Sequence, residues 1–268
     1  MITNVDHTRR SLLTFFALVL GLSVPFFWLG ALTDVQLMPG LSVGVLAAFC
    51  PMLAALLLVY RDNRTDGVTA LLRRSLDFRR IEATRWYVPT LLLMPGISVL
   101  TYGLMRWSGG PVPAPHVSAV STLLMALAFF IGALGEELGW SGYALDPLLG
   151  RMSALLSGLT LGAVAIIWHL VPLILLHRPA TWIAWWCVYA VSSRVLIVWL
   201  YNNTNGSVFA VALFHATLNL AYMLFPINGS HFDMRLGGLL TAFAAAAVTV
   251  VWGPATLTRH ARSSMSER

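Results

Sequence analysis

Two adjacent glutamates, Glu136 and Glu137, sit in the apolar stretch Phe129-Phe-Ile-Gly-Ala-Leu-Gly-Glu-Glu-Leu-Gly-Trp140. An ionisable side chain inside a membrane span costs roughly 2.5–3.5 kcal/mol on insertion scales, and it marks function by default. Adjacent carboxylates also oppose each other's ionisation, and a carboxyl that exchanges its proton near neutral pH suits general acid–base chemistry. Two histidines stand in other apolar stretches, His169 in Ala165-Ile-Ile-Trp-His-Leu-Val-Pro172 and His215 in Phe214-His-Ala-Thr-Leu-Asn219. Asn219 follows His215 at i+4 and therefore shares its helical face. Lipid offers none of these groups a partner, so they are expected to face inward and meet. The competing expectation is that the glutamates' span ends near Gly135, which would leave both at a wet interface.

A glutamate beside a histidine can hold a water molecule, deprotonate it and aim it at a carbonyl. A second histidine and an asparagine one turn apart can donate hydrogen bonds to the oxyanion that develops, each such donor being worth about 10²–10³ in rate. That is the minimum set for hydrolysing a peptide bond without a covalent nucleophile. No cofactor is expected. A zinc site remains open as the alternative, with His169, His215 and one glutamate as ligands and the other glutamate as base, although no HExxH spacing is present. Cys50 and Cys187 lie in apolar segments without metal-ligand spacing, and read as small buried hydrophobes.

The elements that position these residues follow from composition. The 268-residue chain is 58% hydrophobic and 10% charged, against about 25% charged in soluble domains. Alternating barrel patterning is absent, which leaves helices as the spanning structure. The expected fold is all-α: a polytopic membrane protein with about eight transmembrane helices around a polar intramembrane cavity. The spans are expected near 11–32, 41–60, 86–107, 118–145, 153–176, 181–200, 207–225 and 236–257, the fourth long enough to tilt or protrude. Residues 67–76 read as a short interfacial amphipathic helix. Pro39-Gly40, the segment from Gly109 to Pro115, Pro179 and the segment from Asn202 to Gly206 mark turns. One transmembrane domain over 1–268 is expected, with no internal repeat.

All 17 basic residues are arginine, and seven of them lie between Arg61 and Arg85. No segment can fold as a nucleic-acid-binding domain behind that patch, so the basic loop reads as topological and nucleic acid is not an expected partner. With eight spans, Arg9, Arg10, the Arg61–Arg85 loop, Arg151, Arg259, Arg262 and Arg268 fall on one side, which predicts cytoplasmic termini in a cell (inner) membrane. Arg9-Arg10 before an apolar run resembles a twin-arginine signal, but the run is too long and lacks a small-residue cleavage site, so an uncleaved first span is expected. His7, His116, His177, His231 and His260 belong to tails, loops or span ends. Arg194 is expected to snorkel or to meet backbone carbonyls, and the tryptophans to be mostly interface anchors. The sequons at Asn202, Asn205 and Asn228 suit turns.

Gly135-Glu-Glu-Leu-Gly-Trp-Ser-Gly-Tyr-Ala-Leu145, Trp168-His-Leu-Val-Pro172 and His215-Ala-Thr-Leu-Asn219 together resemble, in order, the three motifs of the CPBP family. This is the CAAX-prenyl-endopeptidase and bacteriocin-processing or immunity group of intramembrane proteases, also called Abi. Trp199-Leu-Tyr-Asn-Asn-Thr204 is similar to bacterial members, and the resemblance spans 120–225, the expected catalytic core. It implies an eight-helix fold with a cytosol-facing cavity, Glu136 and His169 as the water-activating pair, His215 and Asn219 as oxyanion stabilisers, and Glu137 in support. Two positions depart from the family pattern. Ser141 stands where the first motif has arginine, removing a permanent charge, and Ala165 stands where the second has phenylalanine. The expected function is an intramembrane endopeptidase acting on a membrane-associated peptide or protein. A non-catalytic partner-binding relative and a proton-coupled transporter are the alternatives.

Overall fold

The computed structural model describes residues 11–38, 41–115, 117–225 and 229–259. The expectations placed on His7, Arg9-Arg10, Pro39-Gly40, His116, the Asn228 sequon, His260, Arg262 and Arg268 lie outside the described residues.

The chain forms α1 (Leu12–Leu32), α2 (Cys50–Arg73), α3 (Tyr87–Trp107), α4 (Ala119–Gly139), α5 (Asp146–Leu149), α6 (Ala154–Leu175), α7 (Ala180–Asn203), α8 (Val208–Met223) and α9 (Met234–Trp252). A two-stranded antiparallel ribbon, β1 (Gln36–Met38) with β2 (Leu41–Ser42), follows α1. Among the described residues, seven helical segments are long and apolar enough to cross a membrane. The eighth, α8, has 16 residues, about 24 Å at the helical rise, against a hydrocarbon core of about 30 Å. The protein is a polytopic all-helical membrane protein. Its outward faces agree, because Leu123, Leu127 and Ile131 on α4 and Phe243 and Val250 on α9 are exposed.

Side-chain oxygens set several helix starts. Ser11, Ser153, Ser207 and Asp233 cap α1, α6, α8 and α9 by accepting from backbone N–H groups of the first turn, the usual work of an N-cap. The second span begins as a 3₁₀ segment, Val43–Phe49, and continues through α2 well past residue 60. The helix breaks at Arg64, where φ is 52°. The amphipathic segment expected at 67–76 is what lies beyond that break: Gly67 and Leu71 are buried, while Leu72, Arg73 and Leu76 are exposed.

Small residues bring the site-bearing helices close. Ala133 on α4 meets Ala212 and Ala216 on α8. On α6, a Cβ at Gly158 would lie 3.2 Å from the Val195 backbone of α7, and one at Gly162 would lie 3.0 Å from that of Val191. Such contacts are the main means by which helices associate in lipid. Trp140, Trp168 and Trp199 are at most 5% exposed, so these three are core residues rather than interface anchors. Trp28 and Trp107 remain exposed.

Candidate active site

The glutamates occupy the last turn of α4, and the chain does not leave the helical path after them. A π-helical segment, Trp140–Leu145, and α5 carry it on to Leu149. The helix therefore does not end near Gly135, and the protein encloses the pair: Glu136 is 8% exposed and Glu137 fully buried. π-Helical turns often occur at functional sites.

The two carboxylates have different surroundings. Glu137 is saturated: Oε1 and Oε2 each accept from Arg194 Nη1 at 2.9 Å, Oε1 also meets His215 Nδ1 at 2.9 Å, and Oε2 accepts from the Ser141 hydroxyl. Glu136 Oε2 is buried with no hydrogen-bond partner among the described residues, and Oε1 lies 3.9 Å from His215 Nε2. That separation exceeds a hydrogen bond.

The histidine tautomers follow from these partners. His169 Nδ1 is 2.8 Å from the Ala165 carbonyl, which can only accept, so Nδ1 carries the proton. His215 Nδ1 faces a carboxylate charge-paired with arginine and must also donate. Both rings thus spend Nδ1 on the protein and keep Nε2 for the site. His169 is further held by ring contacts with Trp168 and Trp186, at 4.5 and 5.0 Å between centroids. Both histidines lie within electrostatic reach of Glu136. Asn219, one turn beyond His215, is half-buried and makes no hydrogen bond to a described residue.

Arg194 corrects the sequence expectation. It does not snorkel: the residue is 6% exposed, and its polar contacts among the described residues are those to Glu137. Glu137 and Arg194 offset one another, which relieves the repulsion expected between adjacent carboxylates. The signal that would have found Arg194 is the one that singled out the glutamates, a charge inside an apolar span.

A second polar network, also missed, braces the site from the loop after α2. Arg74 donates from Nη1 to the Gly142 carbonyl at 2.8 Å and from Nη2 to the Gly206 carbonyl at 2.9 Å, and it also donates to the Tyr201 hydroxyl. Tyr201 donates on to Asp146 at 2.8 Å. Asp77 accepts from the Val208 and Phe209 amides and from the Ser207 hydroxyl, closing the start of α8. Of the sequon asparagines, Asn205 lies in the turn after α7 and donates to the Arg80 carbonyl, whereas Asn202, expected in a turn, is still within α7 and donates to the Thr256 carbonyl. An open pocket of about 690 Å³ beside Asp77, Arg79 and Arg80 includes none of the five candidate residues.

Among the described residues, no three His, Cys, Asp or Glu side chains form a metal-ligand group.

Fold and site together define a multi-pass membrane protein whose polar centre is assembled from α4, α6, α7 and α8. Residues 118–221 match the family described as type II CAAX prenyl endopeptidase Rce1-like. Over that segment the chain is similar to the Rce1-like (CPBP) family. It is also similar to CAAX prenyl protease 2 of Methanococcus maripaludis, with 24% identity over 210 residues, covering 73% of this chain and 76% of that protein.

Proposed function

We propose that the protein is an intramembrane endopeptidase that hydrolyses a peptide bond of a membrane-associated peptide or protein, with water as the nucleophile. The observation that carries this reading is the asymmetry of the glutamates: Glu137 is saturated, while Glu136 keeps a buried oxygen without a partner among the described residues. Glu136 and His169 act as the pair that takes the water's proton. His169 Nε2 is free for this because Nδ1 is held by Ala165.

His215 and Asn219 stabilise the oxyanion. To donate from Nε2 while Nδ1 serves Glu137, His215 must carry both protons. Glu137 at 2.9 Å and Glu136 at 3.9 Å compensate that charge. The proton held by Glu136 or His169 then passes to the leaving amine. Atoms balance: one water is consumed, a C–O bond forms as the C–N bond breaks, one water proton reaches the amine through Glu136 or His169, and the new carboxyl gives up the other, so a carboxylate and an ammonium leave.

The whole chain acts as one transmembrane domain, with 120–225 as the catalytic core. It works in a cell membrane with cytoplasmic termini and uses no metal. Bacteriocin processing, self-immunity and signalling are roles compatible with this chemistry. Mapping new protein N-termini in membranes that contain the wild type, Glu136→Ala or His169→Ala tests the reading. Termini seen with the wild type alone support it. An identical set in all three contradicts it, and pH-driven solute uptake blocked by Glu136→Gln would favour a transporter instead.

A further inference from the structure

Arg194 lies outside the three motifs that the family resemblance rests on, yet it is the cation at the centre of the site. Its Nη1 sits 2.9 Å from both oxygens of Glu137, and its remaining donors bond to no described residue. Glu137 in turn holds the Nδ1 proton of His215 and accepts from Ser141, four residues along its own helix. Ser141 is fully buried. A long cationic side chain there would place a second guanidinium against a carboxylate that already has one. The short hydroxyl at 141 and the guanidinium at 194 therefore form one matched arrangement, a cation delivered from α7 with a small donor completing the shell from the π-helical segment after α4.

We infer that Arg194 is a positioning residue that acts through Glu137 to orient His215, and that it exchanges places with Ser141 as the site's cation. With Arg194 gone, Glu136 and Glu137 would face each other with only His215 between them. The imidazole would then have two carboxylates competing for it rather than one seat fixed by charge pairing, and Nε2 would lose its aim at the reacting centre. Since Nη1 alone makes both contacts, a lysine ammonium can take its place.

The test is a swap measured at His215, by NMR of [15N]histidine-labelled protein in nanodiscs, with the His215 signals identified by their loss in His215→Gln. Wild type and Arg194→Lys should show an Nδ1–H hydrogen-bonded to a carboxylate. Arg194→Ser should lose that signature, and Ser141→Arg/Arg194→Ser should regain it. Ser141→Arg alone should lower the unfolding temperature. Where cleavage is followed through the new N-termini described above, Arg194→Ser should slow it on the order of 100-fold, the scale set by misplacing a reacting group by an ångström, and the swap should recover most of the loss.

An unchanged His215 signal in folded Arg194→Ser overturns the inference. If Arg194→Ser does not fold, the swap decides: folding with the His215 signal supports the inference, and failure to fold or absence of the signal overturns it. The kinetic arm rests on the proposed peptidase reading, whereas the NMR arm does not. A restored signal without any cleavage would therefore refute the peptidase and leave the role of Arg194 standing.

Discussion

Arg194 Nη1 lies 2.9 Å from each carboxylate oxygen of Glu137, across 57 residues of sequence and between two different membrane helices. A pair this deeply buried is poor evidence for stability in itself, because desolvation offsets much of the attraction. Its effect is to divide the two glutamates. Glu137 becomes a fixed, compensated anchor for His215, and Glu136 is left with an oxygen free for chemistry.

Glu137→Gln is expected to destabilise the fold, since it strands a buried guanidinium; breaking one side of such a pair costs on the order of 3–5 kcal/mol. Glu137→Gln/Arg194→Gln should recover much of that loss, because both charges go together, but it should not recover cleavage. Thermal unfolding in detergent followed by tryptophan fluorescence checks the first part, and membrane N-terminal mapping checks the second.

Asp77 closes the start of α8 from a distant loop, with its oxygens on the Val208 and Phe209 amides and the Ser207 hydroxyl. Asp77→Ala should cost about 0.5–2 kcal/mol, the range for losing a helix cap. It should also slow cleavage, because α8 carries His215 and Asn219. Asp77→Asn keeps an acceptor and should fall between. Unfolding temperatures of the three proteins give the order.

Gly139 packs where a Cβ would sit 2.5 Å from the Pro51 backbone, whereas a Cβ at Gly132 would meet nothing within 4 Å. Gly139→Ala should therefore force α4 away from α2, at about 1–3 kcal/mol for overpacking, and displace the glutamates two and three residues earlier. Gly132→Ala should be close to neutral. Equal yields and unfolding temperatures for the two variants would contradict the packing described here.

Much of this was legible in the sequence. The eight apolar segments begin within about two residues of where hydropathy placed them, although the second runs on to Arg73, and the glutamates, His169, His215 and Asn219 were visible as polar groups in spans that lipid cannot satisfy. The pairings were not legible. Nothing local to Arg194 names Glu137 as its partner, because ion pairs between helices depend on rotation and depth, which hydropathy does not encode. The run of α2 to Arg73 was hidden for a related reason. Its last turns are amphipathic, with Gly67 and Leu71 buried, and the basic residues there masked a continuing helix. Arg74 and Asp77 looked like two more charges in a basic loop, yet each one braces a site-bearing element.

Metal chelators should leave the reaction unchanged. The proposed base acts on water directly, and no three ligand-type side chains are grouped among the described residues. Cleavage by protein treated with 1,10-phenanthroline and then dialysed checks this. Loss of activity restored by zinc would overturn the metal-free course.

The central claim is that Glu136 activates the attacking water, and it is tested most directly by the cleavage rate of folded Glu136→Gln reconstituted beside the wild type, on a substrate found by N-terminal mapping. The amide nearly preserves shape and removes the base, so the account predicts a rate lower by at least about 10²-fold, the lower range for general base catalysis, with little change in unfolding temperature. A folded Glu136→Gln that cleaves at the wild-type rate would contradict it.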